Sequence, residues 1–146
     1  MASQQYKIVL LGISGTGKTT YLQRLFNEGF EQRLLPSRQP GFYQINFHGQ
    51  DMIVQEIPGT LMISDTSMDH HLGSAQGAII FYDDREVSYR RAQQWKKKFL
   101  QLSNGPVLMI QNKSDVKILD HDNDFTISVK QGLSLSKPLE KMAQLL

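Results

Sequence analysis

Two short strings in this chain have residue types and spacing that could do chemistry. The first, Gly12-Ile13-Ser14-Gly15-Thr16-Gly17-Lys18-Thr19, fits G-x-x-x-x-G-K-[ST]. Glycines at that spacing let backbone N–H groups converge on phosphate oxygens, and a helix starting there adds its positive end. Lys18 reaches the terminal phosphates and the Thr19 hydroxyl is a magnesium ligand, while Ser14, Gly15, Thr16, Gly17 and Thr20 line the same phosphate cradle. The loop indicates a nucleotide and leaves its base open.

Asn112-Lys113-Ser114-Asp115 bears on the base. An aspartate at the C-terminal end of a strand can accept two hydrogen bonds from the ring N–H and exocyclic amine of guanine. Adenine does not present that pair, and a carboxylate left unpaired is costly. By itself N-K-x-D is a weak match; after a phosphate loop, and in this order, it makes guanine the expected base.

Positioning these strings takes an alternation of strands and helices. Lys7-Ile8-Val9-Leu10-Leu11 is a short apolar run ending at Gly12, the pattern of a strand buried on both faces, and Leu22, Leu25 and Phe26 then recur at helical spacing up to Asn27 and Gly29. Residues 32–41, with Pro36, Pro40 and Gly41, read as an irregular loop. Residues 42–47 and 52–57 form an expected hairpin turning near Gly49, and Pro58-Gly59 ends its second strand. Residues 60–74 lack a clean period and read as a loop with an irregular helix. Gly77-Ala78-Ile79-Ile80-Phe81-Tyr82 is a second buried run, stopped by Asp83-Asp84. Ala92, Trp95, Phe99 and Leu102 then mark an amphipathic helix over residues 88–102. Residues 107–111 and 125–129 are further expected strands, and Leu139, Met142, Ala143 and Leu146 make a closing helical stripe with Ser136 as N-cap and Pro138 in the first turn. The expectation is a single three-layer α/β domain over residues 1–146 with a mostly parallel sheet.

Composition agrees with a soluble globular domain. With 146 residues, 40% hydrophobic and 21% charged, the chain suits one core that buries roughly 70% of the unfolded surface. A net charge of +2 is too small to argue for nucleic acid or an anionic membrane. No cysteine is present, which excludes disulfide frameworks, thiol nucleophiles and prenylation within this sequence and suggests an intracellular setting. No stretch reads as a signal or membrane span, and Ala2 stands where myristoylation needs glycine, so no membrane anchor is expected.

With both motifs in place, the chain resembles the Ras superfamily of small GTPases and looks most like its Ran branch. The resemblance runs from residues 7–12 through Gly15-Thr16-Gly17-Lys18-Thr19-Thr20, Phe30-Glu31, Ala75-Gln76-Gly77-Ala78-Ile79-Ile80, Asn112-Lys113-Ser114-Asp115-Val116-Lys117 and Ile127-Ser128-Val129-Lys130. It implies a P-loop small-GTPase fold: a mostly parallel central sheet with helices on both faces. It also implies a GTP/GDP switch with magnesium-dependent hydrolysis. Phe30 would pack on the base edge, Lys113 along its face, and Ser128, Val129 and Lys130 would form the last base-binding loop. Ser37, following Pro36, would be the first-switch hydroxyl for magnesium and the terminal phosphate, and Gly59 the second-switch glycine sensing that phosphate. Importin-β-type transport receptors and a nuclear exchange factor would be partners, with a nuclear or cytoplasmic location and no direct contact with nucleic acid.

The departures from that pattern predict slow chemistry. Glu56-Ile57-Pro58-Gly59-Thr60 stands where the family has D-T-A-G-Q. Glu56 would thus replace the aspartate that holds a magnesium-bound water, and Thr60 the glutamine that orients the attacking water, over a distance its short hydroxyl cannot span. Pro58 fixes its own φ and lacks an N–H. Twelve residues separate Asp115 from Ser128, and Asp120-His121-Asp122-Asn123-Asp124 has no helical stripe, so the helix before the last strand is expected to be missing. The acidic tail of Ran is not part of this sequence.

Weaker constellations have plainer readings. Asp120, Asp122 and Asp124 echo a calcium loop, but Phe125 and Gln131 stand where glycine and glutamate are required, leaving a solvated acidic loop. His70-His71 reads as an exposed switch segment ahead of a metal site. Arg90, Arg91, Lys96, Lys97 and Lys98 form a basic helix face, either simply solvated or docking an acidic partner. Trp95 and Phe99 read as core. Two functions follow: a slowly hydrolysing GTP switch, or a nearly silent GTP-locked module that engages Ran-pathway partners. A nucleotide kinase is a distant third, because no arginine-rich lid follows the loop.

Overall fold

A computed structural model describes residues 5–13, 16–18, 20–22, 31–34, 42–47, 50–83, 85–112, 125–127 and 137–146. Its seven strands are β1 (Gln5–Leu11), β2 (Glu31–Leu34), β3 (Phe42–Phe47), β4 (Gln50–Glu56), β5 (Gly77–Tyr82), β6 (Val107–Asn112) and β7 (Phe125–Ile127). Three helices are described in full: α1 (Asp69–Ser74), α2 (Glu86–Leu102) and α3 (Lys137–Leu145). Lys18 and residues 20–22 are also helical, directly after the phosphate loop.

The strands form one sheet in the order β2-β3-β4-β1-β5-β6-β7. Pairing is parallel from β4 through β1, β5 and β6 to β7 and antiparallel for β2–β3 and β3–β4. The chain builds one side of the sheet after β1 and then returns past it to build the other. The carboxyl end of β1 is therefore a topological switch point, where ligands bind in open α/β sheets.

Buried strands alternate their side chains between two cores. Ile8, Leu10, Ile79, Phe81, Leu108 and Ile110 point to one face and pack with Tyr21 and Leu22 of the loop helix and Leu139 and Met142 of α3. Val9, Leu11, Ala78, Ile80, Tyr82 and Met109 point to the other, under Leu72, Ala92, Trp95 and Phe99 of α1 and α2. Helices thus cover both faces. Trp95 and Phe99 are core residues, as their spacing indicates.

α2 begins one turn past β5 because Asp83 organises the junction. Its backbone N–H donates to Ser88 Oγ at 2.9 Å, and its carboxylate accepts from the Ser88 hydroxyl at 2.8 Å and from the Arg85 backbone and guanidinium at 3.0 Å. Burial alone would raise the Asp83 pKa; the hydrogen bonds from Arg85 and Ser88 and the Arg85 charge outweigh it and hold it below the usual value.

Three expectations need correction. Residues 31–34 lie in β2, paired antiparallel from Glu31 opposite Asn46 to Leu34 opposite Tyr43, where an irregular loop was expected from residue 32. The open edge of β3 supplies hydrogen-bond partners that override the absence of strand periodicity. The amphipathic helix starts at Glu86, two residues before the expected start at Ser88. Lys98 does not share the solvated basic face: its side chain is 13% exposed and pairs with Asp69 Oδ1 at 3.0 Å. The hairpin of β3 and β4, the helix within residues 60–74 and Pro138 in the first turn of α3 agree with the sequence reading. Ser136 and the segment 113–124, where a helix was expected to be missing, lie outside the described residues.

Candidate nucleotide site

The five parallel strands end on one edge of the sheet, and the candidate residues gather there. β1 delivers Gly12, β4 delivers Glu56, and β6 delivers Gln111 and Asn112. The two sequence motifs meet directly: Asn112 Nδ2 donates to the backbone carbonyl of Thr16 at 3.0 Å across a separation of 96 residues.

The loop's conformation follows from its glycines. Gly12 has φ 142° and Gly17 φ 97°, both in the region L side chains rarely adopt. The Thr16 hydroxyl donates to the Ile13 carbonyl at 2.9 Å, closing the loop on itself, and the Tyr21 N–H donates to the Gly17 carbonyl at 2.7 Å as the helix begins. Tyr21 also seats against Phe81 of β5, ring centroids 5.0 Å apart, fixing the helix to the sheet.

Lys18 is buried at the centre of this edge, and its ammonium donates to the Gly12 carbonyl. Desolvation lowers its pKa from 10.5 to about 8, and the nearby Glu56 carboxylate offsets only part of that. A buried ammonium with one carboxylate neighbour attracts further negative charge, as a phosphate would supply. The same Glu56 charge, after burial, raises the pKa of Tyr43 on β3.

Beyond β4 the chain hugs the sheet edge for one more residue, the Ile57 N–H donating to the Leu10 carbonyl at 3.0 Å. Residues 58–69 then run through consecutive turns, closed by Leu61 N–H to Pro58, Asp65 N–H to Met62 and Asp69 N–H to Thr66 at 3.0–3.1 Å. Gly59 and Thr60 sit in the first of these, with Thr60 exposed. Lys98 Nζ secures the later part, donating to the carbonyls of Ile63 at 2.5 Å and Asp65 at 2.8 Å as well as pairing with Asp69. Sequence reasoning missed this role. The available signal was that Lys98 borders the buried stripe of Ala92, Trp95 and Phe99.

The structure brings together Gly12, Thr16, Gly17, Lys18, Glu56 and Asn112. Thr20 is exposed on the loop helix. Ser14, Gly15, Thr19, Phe30, Ser37, Lys113, Asp115, Ser128, Val129 and Lys130 lie outside the described residues. Among the described residues no cluster of three or more His, Asp or Glu side chains fits a metal ion. The His70 and His71 ring centroids lie 3.9 Å apart with the rings tilted by 41°, and His71 Nδ1 faces the Lys7 ammonium at 3.4 Å, a position that disfavours a second cation. No helix among the described residues is long and apolar enough to cross a membrane.

A family model described as Roc, the Ras-of-complex domain of DAP kinase, matches residues 7–115. The chain belongs to the Roc family. The matched segment takes in β1, the phosphate loop, both core-forming central strands and the N-K-x-D string. Roc membership makes this a Ras-superfamily GTPase domain with the P-loop GTPase fold, and guanine nucleotide its ligand class. The match reaches the superfamily and is silent on the Ran branch.

Proposed function

We propose that this Roc domain is a GTP/GDP-binding switch, one G domain over residues 1–146, with slow magnesium-dependent hydrolysis. The observation that carries the reading is the Asn112–Thr16 hydrogen bond, which fastens the base-recognition string to the phosphate loop at the switch point of the sheet. Gly12, Ser14, Gly15, Thr16, Gly17, Lys18, Thr19 and Thr20 would hold the phosphates, with Lys18 supplying the buried charge. Asp115 and Asn112 would hold guanine, flanked by Phe30, Lys113 and residues 128–130.

Glu56 suits a magnesium site: it is a hard oxygen donor at the end of β4, within electrostatic reach of Lys18. Thr19 and Ser37 would bind the ion directly and Glu56 through water. Bound there, magnesium would neutralise charge on the terminal phosphates. Gly59 would follow the terminal phosphate through its N–H, and Thr60, exposed in a tight turn, is too short to place the attacking water.

Single-turnover hydrolysis of preloaded GTP tests this. The wild type is expected to turn over at or below about 10⁻⁴ s⁻¹, and Thr60→Gln to accelerate it by about tenfold. An unchanged rate in Thr60→Gln overturns the assignment of Thr60. Complete retention of GTP by both proteins favours the GTP-locked module instead. The Ran-like reading, with importin-β-type receptors and a nuclear exchange factor as partners, rests on the sequence resemblance over residues 7–12, 15–20, 30–31, 75–80, 112–117 and 127–130; absence of GTP-dependent binding to such a receptor would end it.

A further inference from the structure

Between residues 62–69 and α2 lies an open cleft of about 660 Å³. One wall is the run of turns after β4; the other is the α2 stripe that includes Arg91, Gln94 and Gln101. Residues at that spacing share a helix face, adjacent to the buried stripe. The volume has room for several side chains of a bound segment.

Charge and apolar surface are both uncommitted here. Arg90 pairs with Glu86 at 3.8 Å and Lys98 with Asp69, but Arg91 and Lys97 make no ion pair among the described residues. At the opposite lip Met62 is 65% exposed, a large apolar side chain beside the half-buried Ile63. Arg91 and Lys97, without an ion pair among the described residues, line the cleft with the exposed Met62 and complement an acidic segment that carries an apolar side chain.

The wall is also held in place. The Lys98 ammonium donates to the Ile63 and Asp65 carbonyls, forms an ion pair with the Asp69 carboxylate, and lies 5.5 Å from the Trp95 ring centroid. Asp65 in turn accepts from the Ser67 backbone N–H at 2.8 Å. The lining residues 62–69 are thereby fastened to α2, and the turn at Pro58–Leu61 is the only part of this segment outside the latch.

We propose that this cleft is a preformed docking site for an acidic peptide segment bearing an apolar anchor, open in both nucleotide states because Lys98 latches its wall. The two-state clause rests on the switch reading; docking itself does not.

Fluorescence anisotropy with a labelled Glu-Glu-Asp-Leu-Glu-Glu peptide at low salt tests it. The wild type is expected to bind saturably, with affinities for GDP-loaded and GTP-analogue-loaded protein within twofold. The same peptide with serine for leucine should bind about tenfold more weakly, and so should Arg91→Glu/Lys97→Glu, whose fold is checked by circular dichroism, with Arg91→Gln/Lys97→Gln as the milder pair. Lys98→Met should weaken binding in either state. No binding, equal binding of the serine peptide, equal binding of a single-stranded RNA oligomer, or indifference to the Arg91 and Lys97 substitutions would each overturn the docking site. Binding confined to one nucleotide state would overturn the latch. Peptide binding by a protein that takes up no nucleotide would leave the docking site standing and remove the switch reading alone.

Discussion

Lys18→Met is expected to lower affinity for GDP by about a hundredfold or more, and at the same time to make the nucleotide-free protein more stable at neutral pH. The first effect removes the buried charge aimed at the phosphates. The second follows from its environment: burial lowers the Lys18 pKa from 10.5 to about 8, so folding at pH 7 keeps an ammonium that the interior disfavours. The corresponding cost is about 3 kcal/mol, offset by about 1 kcal/mol for the hydrogen bond to Gly12 that methionine cannot make. Between pH 8 and 10.5 the unfolded chain holds the proton and the folded chain does not, so wild-type stability from this group rises with pH across that window. The advantage of Lys18→Met should accordingly be full below pH 8 and shrink above it. Nucleotide affinity of the wild type should fall over the same window, because phosphates need the charged form. Urea denaturation at pH 7 and pH 10, with and without GDP, measures both effects. A variant less stable than the wild type at pH 7 in the absence of nucleotide would contradict this account of Lys18.

Gly12→Ala should be more damaging to the fold than its size suggests. A Cβ there would stand 2.5 Å from the Phe81 carbonyl oxygen and 3.0 Å from Thr16 Oγ1, on a backbone with φ +142°. Both neighbours are fixed, one in β5 and the other by its bond to Ile13. The clash and the strained φ together should cost about 3 kcal/mol or more, and displacement of Thr16 should disturb the Asn112 contact. Gly73→Ala is the internal control: it is exposed within α1, and its Cβ would meet only the Leu102 carbonyl at 3.4 Å. That change should be neutral or stabilising by up to about 1 kcal/mol. Equal denaturation midpoints for the two variants would contradict the assigned loop geometry.

The parts of the fold that the sequence disclosed are those where local pattern and tertiary environment agree. β1 and β5 are continuous apolar runs because both faces of a central parallel strand are covered, and α2 shows its stripe because only one face is. β2 was hidden: Glu31-Gln32-Arg33-Leu34 has no alternation, and its strand state comes from the β3 edge. The site divides in the same way. Glycine spacing and the lysine of the phosphate loop are chemical requirements and can be read directly, whereas the lowered pKa of Lys18 depends on burial contributed by the rest of the sheet edge. Lys98 looked like one more surface cation in a basic run, and its use as a latch depends on carbonyls more than thirty residues earlier, whose direction is set by turns that no local pattern announces.

Competition of GTP and ATP against a fluorescent GDP analogue, in the presence of magnesium and for the wild type beside Asp115→Asn, tests the central claim most directly. GTP is expected to displace the analogue from the wild type at concentrations at least about a hundredfold below those needed for ATP, and Asp115→Asn to lose that preference, since one carboxylate carries the guanine-specific pair of hydrogen bonds. ATP competing as well as GTP, or undiminished GDP binding by Asp115→Asn, would contradict it.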